Sequence, residues 1–268
     1  MSEPSGYILD SDIECDRLER QALVQGPDCV LKHVAPEPGM RILDAGSGSG
    51  AISRLLAKTY PQTEVVGVDI NPAYVDYARR KATGQTLANL QFHVGDLTNL
   101  PFDGSGFDIV WSQYVLYFVP DPARAIGEFR RVAKPNGQII VKLHEHPLVE
   151  NDPEDTELQP LIDCLVNANL AGWRGIQLPT LFRNAGLHNV QIEIEVDPVW
   201  TALGKIDRDR RQNLEDLMVG PLHRQAHLFG GNDQAKSFLN KWLSYLDRDD
   251  TNTVTSSWIA KGRKPQSV

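Results

Sequence analysis

The sequence lacks the features that mark membrane, secreted and disulfide-rich proteins. No stretch approaches the roughly 20 consecutive apolar residues that cross a bilayer, and residues 1–6 carry neither a basic nor an apolar leader segment. The three cysteines, Cys15, Cys29 and Cys164, form no CxxC pair, so neither a disulfide framework nor a structural zinc site is expected. These absences favour a cytoplasmic protein with buried thiols, no metal and no membrane partner.

Positive charge is also scarce. The 268 residues include 27 Lys and Arg against 35 Asp and Glu, which gives a formal net charge of −8. Proteins that bind a phosphate backbone usually carry a basic stripe, whereas the basic runs here are short and lie on predicted helices (Arg79 to Lys81, Arg130-Arg131 and Arg208 to Arg211). We therefore expect no nucleic-acid partner. The length suits one elaborated domain or two small ones, in a monomer or a homodimer.

Between residues 40 and 143, short apolar segments alternate mostly with helical patterns. This alternation predicts an α/β fold with a parallel sheet covered on both faces. The five predicted strands are Met40 to Ala45, Glu64 to Asp69, Leu90 to Gly95, Phe107 to Gln113 and Gln138 to Leu143. Asn71-Pro72 and Asp121-Pro122 should begin two of the helices, because a capping side chain precedes a proline at the first helical position.

The pattern changes after residue 150. Two further strands are predicted, the alternating Val190 to Val196 and the final Thr253 to Lys261, and they should pair antiparallel. Residues 201–250 between them follow helical spacing, and Glu157 to Ala171 is also predicted to be helical. We expect these helices to form a cap over the carboxyl ends of the strands.

The most informative segment is the glycine-rich loop at residues 44–50, DAGSGSG, which follows a strand and precedes a helix. Glycines allow a tight turn and let the backbone approach a ligand closely. Because any strand-to-helix turn favours glycine, the loop alone is weak evidence. Its GxGxG spacing differs from the GxGxxG of most dinucleotide enzymes, and no GK[ST] triphosphate motif is present.

Polar residues also stand at the ends of the next three strands, where open α/β sheets bind ligands. Asp69 ends the second strand, and a carboxylate there can accept hydrogen bonds from both hydroxyls of a ribose. Its alternative role as a helix N-cap has a better candidate in Asn71. Asp96, which follows the third strand, could accept the exocyclic amine of an adenine, with Leu97 beside the ring. Gln113 ends the fourth strand.

Together these segments resemble the class I S-adenosylmethionine-dependent methyltransferases, particularly the ubiquinone/menaquinone-type and small-molecule members. The resemblance covers residues 38–145 and rests on ILDAGSGSG, VVGVDINPAYVDYAR, HVGDLTNLPF, FDIVWSQYVLYFVPDP and RVAKPNGQIIVKL. It implies a Rossmann-like fold with a seven-stranded, mostly parallel sheet whose last strand is antiparallel, and S-adenosylmethionine as the cofactor. The expected divisions are 1–36, an N-terminal helical cofactor lid; 37–200, the core; 201–250, the cap insertion; and 251–268, the final strand.

The resemblance also implies cofactor contacts at the loop and at the strand ends. The residues concerned are Asp44, Gly46, Ser47, Gly48, Asp69, Ile70, Asp96 and Leu97. The loop glycines and Ser47 would face the methionine part and the ribose, and Asp44 would hold the methionine ammonium, directly or through water. Asp69 would accept the ribose hydroxyls, Ile70 would pack on the adenine, and Asp96 and Leu97 would bind its edge.

Further cofactor contacts are implied at the opening of the chain, which is similar to the lid of some natural-product members. Tyr7 and Arg17 could close over the cofactor, with Arg17 pairing its carboxylate, and Gln113 would lie near the reaction centre. Alternatively, Arg17 forms an intrahelical ion pair with Asp12, Glu14 or Asp16.

The sequence is less informative about catalysis. Methyl transfer from a sulfonium requires the acceptor atom, the methyl carbon and the sulfur in line, and positioning can supply most of the acceleration. A general base is needed only when the acceptor must lose a proton. His144 and His146 follow the fifth strand on the acceptor side and suit that task, although loop histidines are often only polar surface. His223 and His227 stand four apart but lack the HExxH pattern of a metal site.

The expected function is methyl transfer to an O, N or C atom of a small molecule under the cap, in the biosynthesis of a quinone or natural product. Two alternatives stay open: action on RNA or protein, and use of the bound cofactor for other chemistry, such as a cyclisation. The acidic charge and the cap count against the macromolecular acceptor. The residues SQYV at 112–115, where amino-group methyltransferases of nucleobases or glutamine carry an Asn/Asp-Pro-Pro-Tyr-type motif, also count against it. Trp173, Trp200, Phe229 and Trp242 could line the acceptor pocket or form the core of the cap.

Overall fold

The computed structural model describes residues 11–144, 150–152, 155–158, 175–197, 201–224 and 226–266. The strands are β1 (Arg41–Ala45), β2 (Glu64–Asp69), β3 (Leu90–Val94), β4 (Phe107–Gln113), β5 (Ala133–His144), β6 (Glu150–Asp152), β7 (His188–Val196), β8 (Ala202–Leu203), β9 (Asn252–Val254) and β10 (Ser256–Arg263). The α-helices are α1 (Ser11–Gln25), α2 (Asp28–Leu31), α3 (Ala51–Thr59), α4 (Pro72–Thr83), α5 (Pro122–Val132), α6 (Leu178–Asn184), α7 (Arg208–Arg224) and α8 (Asn232–Leu246).

Seven strands form one sheet in the order β3-β2-β1-β4-β5-β10-β7. Strands β1 to β5 pair in parallel, whereas β10 is antiparallel to both of its neighbours, β5 and β7. The predicted Rossmann-like sheet with a reversed last strand is therefore confirmed. Because β7 runs parallel to β5, its carboxyl end lies at the same edge of the sheet as the carboxyl ends of β4 and β5.

The final strand is shorter than the predicted Thr253 to Lys261. Thr253 lies in β9, which joins β6 and β8 in a separate three-stranded sheet. The chain leaves that sheet at Thr255, whose carbonyl oxygen accepts the backbone N–H of Asp197 at 2.7 Å. The polar TVTSS run therefore belongs to two strands, a division that its uniform residue types do not reveal.

The fifth strand begins earlier than predicted. The sequence indicates a turn at Asn136-Gly137 before the strand, but the structure places this turn inside β5 as a bulge between the pairs Phe107–Ala133 and Ile109–Gln138. Asn136 has a φ of 62°, and its N–H donates to Lys264 at 3.0 Å. The backbone contact with the end of the chain thus extends the strand through the turn.

Apolar layers cover both faces of the sheet. Ile139 and Val141 of β5 pack with α5 and α6 on one face, whereas Ile140 packs with α2 and α3 on the other. Both predicted N-caps are confirmed, because Asn71 and Asp121 accept hydrogen bonds from the first turns of α4 and α5. The sheet edge that carries the glycine loop is therefore held by helices on both sides.

Residues 201–250 form a helical unit with its own core. Trp242 is 1% exposed within this core, and Phe229 stacks on Phe238 at 5.0 Å. Trp242 therefore belongs to the core of this unit, one of the two roles left open by the sequence. Trp173, Trp200 and most of the predicted helix Glu157 to Ala171 lie outside the described residues. Helix α7 contacts α1, which in turn contacts α3 and α4.

Two smaller expectations can also be compared with the structure. Cys15 and Cys29 are buried free thiols, and burial raises the pKa of Cys15 to about 12 and that of Cys29 to about 11. Cys164 lies outside the described residues. Within the described part of the chain, no helix is long and apolar enough to cross a membrane.

Candidate active site

The glycine loop after β1 folds back on β2. Its three glycines have φ angles of 85°, 53° and 77° in chain order, which side chains with a Cβ rarely adopt. The N–H groups of Gly46 and Ser47 both donate to the carbonyl oxygen of Val68, at 2.8 and 2.9 Å. A Cβ on Gly46 would lie 2.4 Å from a methyl group of Val115. The loop therefore has room only for glycine at position 46.

Asp69 at the end of β2 is joined to the loop. One carboxylate oxygen accepts the N–H of Gly48 and the other accepts the N–H of Asn71, both at 2.9 Å. Burial raises the pKa of Asp69, and these backbone hydrogen bonds oppose the rise. Because each carboxylate oxygen has two lone pairs, each can accept one further hydrogen bond. Ile70 beside it is 61% exposed, so an apolar surface adjoins this carboxylate.

Asp44 is a buried carboxylate at the base of the loop. It is 3% exposed and accepts the hydroxyl of Ser53 at 2.5 Å. Burial raises its pKa to about 6; the Ser53 hydrogen bond lowers it and the charge of Asp69 raises it. Among the described residues Asp44 has no cationic partner, and a buried charge without one is costly. A ligand ammonium would fit this position.

Two of the predicted cofactor side chains turn into the protein core. The Ser47 hydroxyl is buried, has no hydrogen-bond partner among the described residues and lies 3.0 Å from where a Cβ on Gly67 would stand. Leu97 is 5% exposed and packs in the main core. Contacts from these residues to a cofactor would therefore come from their backbone. Asp96 is exposed, and one of its oxygens accepts the N–H and hydroxyl of Thr98, each at 2.8 Å.

Gln113 and Gln25 form a pair of amides at the end of β4. Gln113 donates from Nε2 to Oε1 of Gln25 at 2.8 Å. Gln25 Nε2 and Gln113 Oε1 are both buried and have no hydrogen-bond partner in the described part of the chain. One unpaired donor thus lies close to one unpaired acceptor, which suits the amino and carboxylate groups of an amino acid. Sequence reasoning missed Gln25, for which the only local indication is its place at a helix end.

Helix α1 lies directly over the glycine loop. A Cβ on Gly48 would stand 2.9 Å from a methyl group of Leu18. Glu19 accepts hydrogen bonds from Arg54 of α3 at 2.6 Å, and Gln25 reaches β4 at the last residue of the helix. The helix therefore extends from the glycine loop and α3 to the end of β4.

Arg17 forms the intrahelical pair that the sequence left as an alternative. Its Nε and Nη2 bind the carboxylate of Glu14 at 2.8 and 2.6 Å, and Nη1 donates to Gln21 at 2.6 Å. Contact of Arg17 with a cofactor carboxylate stays a prediction. Tyr7 lies outside the described residues.

A second cluster surrounds His144 at the carboxyl end of β5. Its ring stacks on Tyr114 with centroids 4.0 Å apart and on Tyr117 at 6.2 Å. Its Nδ1 lies 3.5 Å from a carboxylate oxygen of Asp197 and 3.4 Å from the hydroxyl of Ser257. Burial lowers the pKa of His144, and the Asp197 charge opposes this shift. The ring is therefore neutral at pH 7, which is the form that accepts a proton.

Asp197 holds this cluster together. It is fully buried and accepts the hydroxyls of Tyr114 at 2.6 Å and Ser257 at 3.0 Å. Burial raises the pKa of Tyr114 well above its usual value, and the charge of Asp197 adds to the shift. Tyr114 also has a φ of 56°, a strained conformation of the kind that clusters at functional sites. His146, the other predicted base, lies outside the described residues.

Sequence reasoning missed Asp197, Tyr114 and Ser257. Asp197 directly follows the predicted strand that ends at Val196, so the rule that drew attention to Asp69 and Asp96 would also have found it. Ser257 stands at the beginning of β10, and the sequence gives no indication of its proximity to His144.

A further group of charges lies on the face of the sheet covered by α2. His33 has one ring nitrogen 3.2 Å from Glu193 and the other 3.1 Å from Glu195, an arrangement that could hold a metal ion. However, both carboxylates also form ion pairs with lysines, namely Lys32, Lys142 and Lys261. Three ammonium groups already balance two carboxylates, so this cluster does not favour a metal.

The comparisons with known proteins concern most of the chain. Residues 36–185, more than half of it, match the family model for a methyltransferase domain. The demethylmenaquinone methyltransferase of Clavibacter sepedonicus is 36% identical over 108 residues, which are 40% of this chain and 42% of that protein. The matched regions cover 56% and 50% of the first curated relatives, so the chain spans about half their length.

Solved structures share the fold at low identity. Phosphoethanolamine N-methyltransferase 2 of Haemonchus contortus, in complex with S-adenosyl-L-methionine, has a TM-score of 0.64 at 18% identity, covering 98% of this chain and 59% of that one. The [4+2]-cyclase SpnF has a TM-score of 0.59 at 22% identity, covering 92% and 82%. At these identities the likeness concerns the fold alone.

The sheet order, the glycine loop bound to Asp69 and the family match agree with one another. The chain belongs to the class I S-adenosylmethionine-dependent methyltransferases, and its cofactor is S-adenosylmethionine.

Proposed function

We propose that this enzyme methylates a hydroxyl group of a small molecule and that His144 removes the hydroxyl proton. The observation that carries the proposal is the position of His144 against Asp197, a fully buried carboxylate at the same edge of the sheet. The acceptor would lie between the carboxyl ends of β4 and β5 and the helices of residues 201–250. These helices would then act as a cap and α1 as a cofactor lid.

The chemistry follows from the arrangement of the cluster. An Nδ1–H directed at Asp197 leaves the basic lone pair on Nε2, as in other histidine–carboxylate pairs. The 3.5 Å separation of Nδ1 and Asp197 exceeds a hydrogen bond, and such contacts commonly tighten when ligands bind. As the methyl group moves from sulfur to oxygen, the hydroxyl proton would pass to Nε2. The carboxylate would stabilise the resulting imidazolium.

The predicted cofactor residues fit the same proposal. Asp69 would accept the ribose hydroxyls with Ile70 against the adenine, and Asp44 would face the methionine ammonium. The unpaired amide atoms of Gln25 and Gln113 would complete the amino-acid end of the cofactor site. S-adenosylmethionine supplies an activated methyl group when it is bound there.

A small acceptor is favoured by several observations. The helices of residues 201–250 pack against α1 around their own core, which is a suitable wall for an enclosed pocket. The net charge of −8 disfavours RNA. Two relatives are named for small-molecule substrates, demethylmenaquinone and tocopherol. Biosynthesis of a quinone or natural product in the cytoplasm is the corresponding role.

The experiment is a methyl-transfer assay with S-adenosylmethionine labelled in the methyl group and a panel of phenols and hydroquinones. His144→Gln should reduce turnover by roughly 10²- to 10⁴-fold, the usual contribution of a general base. The affinity for S-adenosylhomocysteine should change little. His188→Gln is the matched control, because His188 begins β7 at the opposite edge of the sheet.

Near-parental turnover in His144→Gln would remove His144 from the mechanism. Tight cofactor binding without label transfer to any acceptor would instead favour the second candidate, in which the bound cofactor supports other chemistry such as a cyclisation.

A further inference from the structure

Helix α7 carries buried polar groups that have no partner among the described residues. The Nε and Nη2 atoms of Arg210 are both buried, and no described residue forms a hydrogen bond with either of them. One turn further along, Asn213 is 0% exposed, and both of its amide atoms are equally unpaired within the described residues. Because buried polar groups are nearly always hydrogen-bonded, two such side chains on one helix face indicate a ligand.

Two other arginines of the chain show what the unpaired edge of Arg210, its Nε and Nη2 atoms, can bind. Arg41 uses Nε and Nη2 to bind both oxygens of Glu64 at 2.8 and 2.9 Å. Arg131 binds Glu128 through the same two atoms, each at 2.7 Å. This two-bond geometry suits carboxylates and phosphates, and both of these arginines use it for a carboxylate. Arg210 therefore presents the same edge with no carboxylate of the described residues on it.

Three acids of this helical unit are bound by groups other than the Arg210 guanidinium. Asp216 forms an ion pair with Arg20 of α1, and Asp247 forms one with Arg211. Asp207 accepts the backbone N–H of Arg210 at 2.8 Å, which caps the helix. Arg210 also lies in the first turn of α7, where the helix dipole favours an anion. No ion pair joins Arg210 to any residue that the structure describes.

The position of these groups connects them with the active site. Arg210, Asn213 and Asp216 are spaced three residues apart and lie along one ridge of α7. Asp216 pairs with Arg20, whose own Nε is buried and unpaired, so this ridge faces α1. The opposite side of α1 borders the glycine loop through Leu18. The seam between α1 and α7 therefore adjoins the helix that covers the cofactor loop.

We propose that the seam between α1 and α7 binds a carboxylate of the acceptor, so that the enzyme methylates a small carboxylic acid. Arg210 donates two parallel hydrogen bonds to the carboxylate, and the Asn213 amide donates a third. This inference rests on the proposed function, because it assigns the end of the acceptor remote from the reacting hydroxyl. It makes Arg210 a residue that determines specificity.

The test uses sodium benzoate as the probe, with benzamide as the neutral molecule of the same shape. Both are titrated by calorimetry into the full-length enzyme saturated with S-adenosylhomocysteine. Benzoate should bind more tightly than benzamide, and Arg210→Gln should weaken benzoate binding by about tenfold or more, since hydrogen bonds to a charged group are lost. Asn213→Leu should weaken it less. Arg208→Gln is the matched control, because Arg208 lies on the same helical turn but is exposed.

Equal benzoate affinity in the parent and in Arg210→Gln would overturn the proposal, as would equal affinity of the parent for benzoate and benzamide. Arg210→Gln should fold, since it removes a partly buried cation that has no counter-charge among the described residues, and its melting temperature without ligands should not fall below that of the parent. Arg210→Lys gives a second reading, because it keeps the charge but loses the two-bond edge, and it should bind benzoate weakly. Benzoate binding is measured without turnover, so its result is independent of whether His144 acts as the base. S-adenosylhomocysteine affinity, measured in the same samples, shows whether the cofactor site is intact.

Discussion

The cofactor side of the sheet edge is formed mainly by backbone groups, whereas the acceptor side is formed by side chains. Around the glycine loop, backbone N–H groups and positive φ angles determine the shape of the site. Asp69 accepts hydrogen bonds from two backbone N–H groups of adjoining segments. Around His144, the contacts are between side chains from β5, from β10, from the turn after β4 and from Asp197, which follows β7. A backbone site holds one ligand in one pose, whereas a side-chain site can change with the acceptor.

The largest expected effect is a loss of cofactor binding, caused by a substitution in the glycine loop. Gly46→Val should abolish S-adenosylhomocysteine binding at concentrations that saturate the parent. The new Cβ would collide with Val115, and the φ of 85° is strained for any side chain. Calorimetric titration measures the loss. Gly127→Ala is the control, because nothing lies within 4 Å of a Cβ there; parental affinity in Gly46→Val would show that the loop does not hold the cofactor.

The next effect concerns the acceptor side. Asp197→Asn keeps the shape of the side chain but removes the charge that opposes the lowered pKa of His144. Turnover should fall by roughly 10-fold or more, because the imidazolium loses its stabilising carboxylate. In the parent, the rate should rise with pH as His144 becomes neutral, with an apparent pKa below 6.5. In the variant this limb should move to still lower pH, as a pH–rate profile would show. If the pH–rate profile of Asp197→Asn rose at the same pH as that of the parent, Asp197 would have no influence on the pKa of the titrating group.

A smaller effect sharpens the assignment of Asp69. Asp69→Ala should weaken S-adenosylhomocysteine binding by about 1–3 kcal/mol, because charge-assisted hydrogen bonds to the ribose are lost. Part of the loss would come from the loop, since Gly48 also loses its acceptor. Asp69→Asn retains one acceptor oxygen and should bind at an intermediate affinity. Unchanged affinity in the alanine variant would remove the ribose role.

The smallest effect is on stability and depends on pH. The pKa of Asp44 is about 6 in the folded state, against a usual value of 3.8. The folded state therefore binds this proton more tightly than the unfolded state does. The resulting contribution to the free energy of unfolding is present at low pH and is lost as the pH rises from about 4 to 6. The cost at pH 7 to 8 is about 2–3 kcal/mol. Asp44→Asn should therefore stabilise the cofactor-free enzyme at pH 7.5 but not at pH 4, as measured by urea unfolding. Equal effects at both pH values would contradict the raised pKa.

The two sides also differ in how far the sequence predicts them. The loop, Asp69 and Asp96 stand at strand ends and can be found from local patterns, since each position depends only on its own strand and the turn that follows. His144 could be proposed for the same reason. Its partners could not be assigned: Ser257 is 113 positions away, and its approach depends on the register of β10. The division of TVTSS between β9 and β10 was missed because hydrogen bonds from Asp197 and Thr201 decide it.

The separation of the two sides is tested most directly by one paired measurement. S-adenosylhomocysteine affinity and the single-turnover rate of methyl transfer at saturating cofactor are determined for Asp69→Ala and His144→Gln. We expect the first variant to lose affinity but keep most of its rate, and the second to keep its affinity but lose its rate by roughly 10²- to 10⁴-fold. A variant that lost both together, while remaining folded, would contradict this separation.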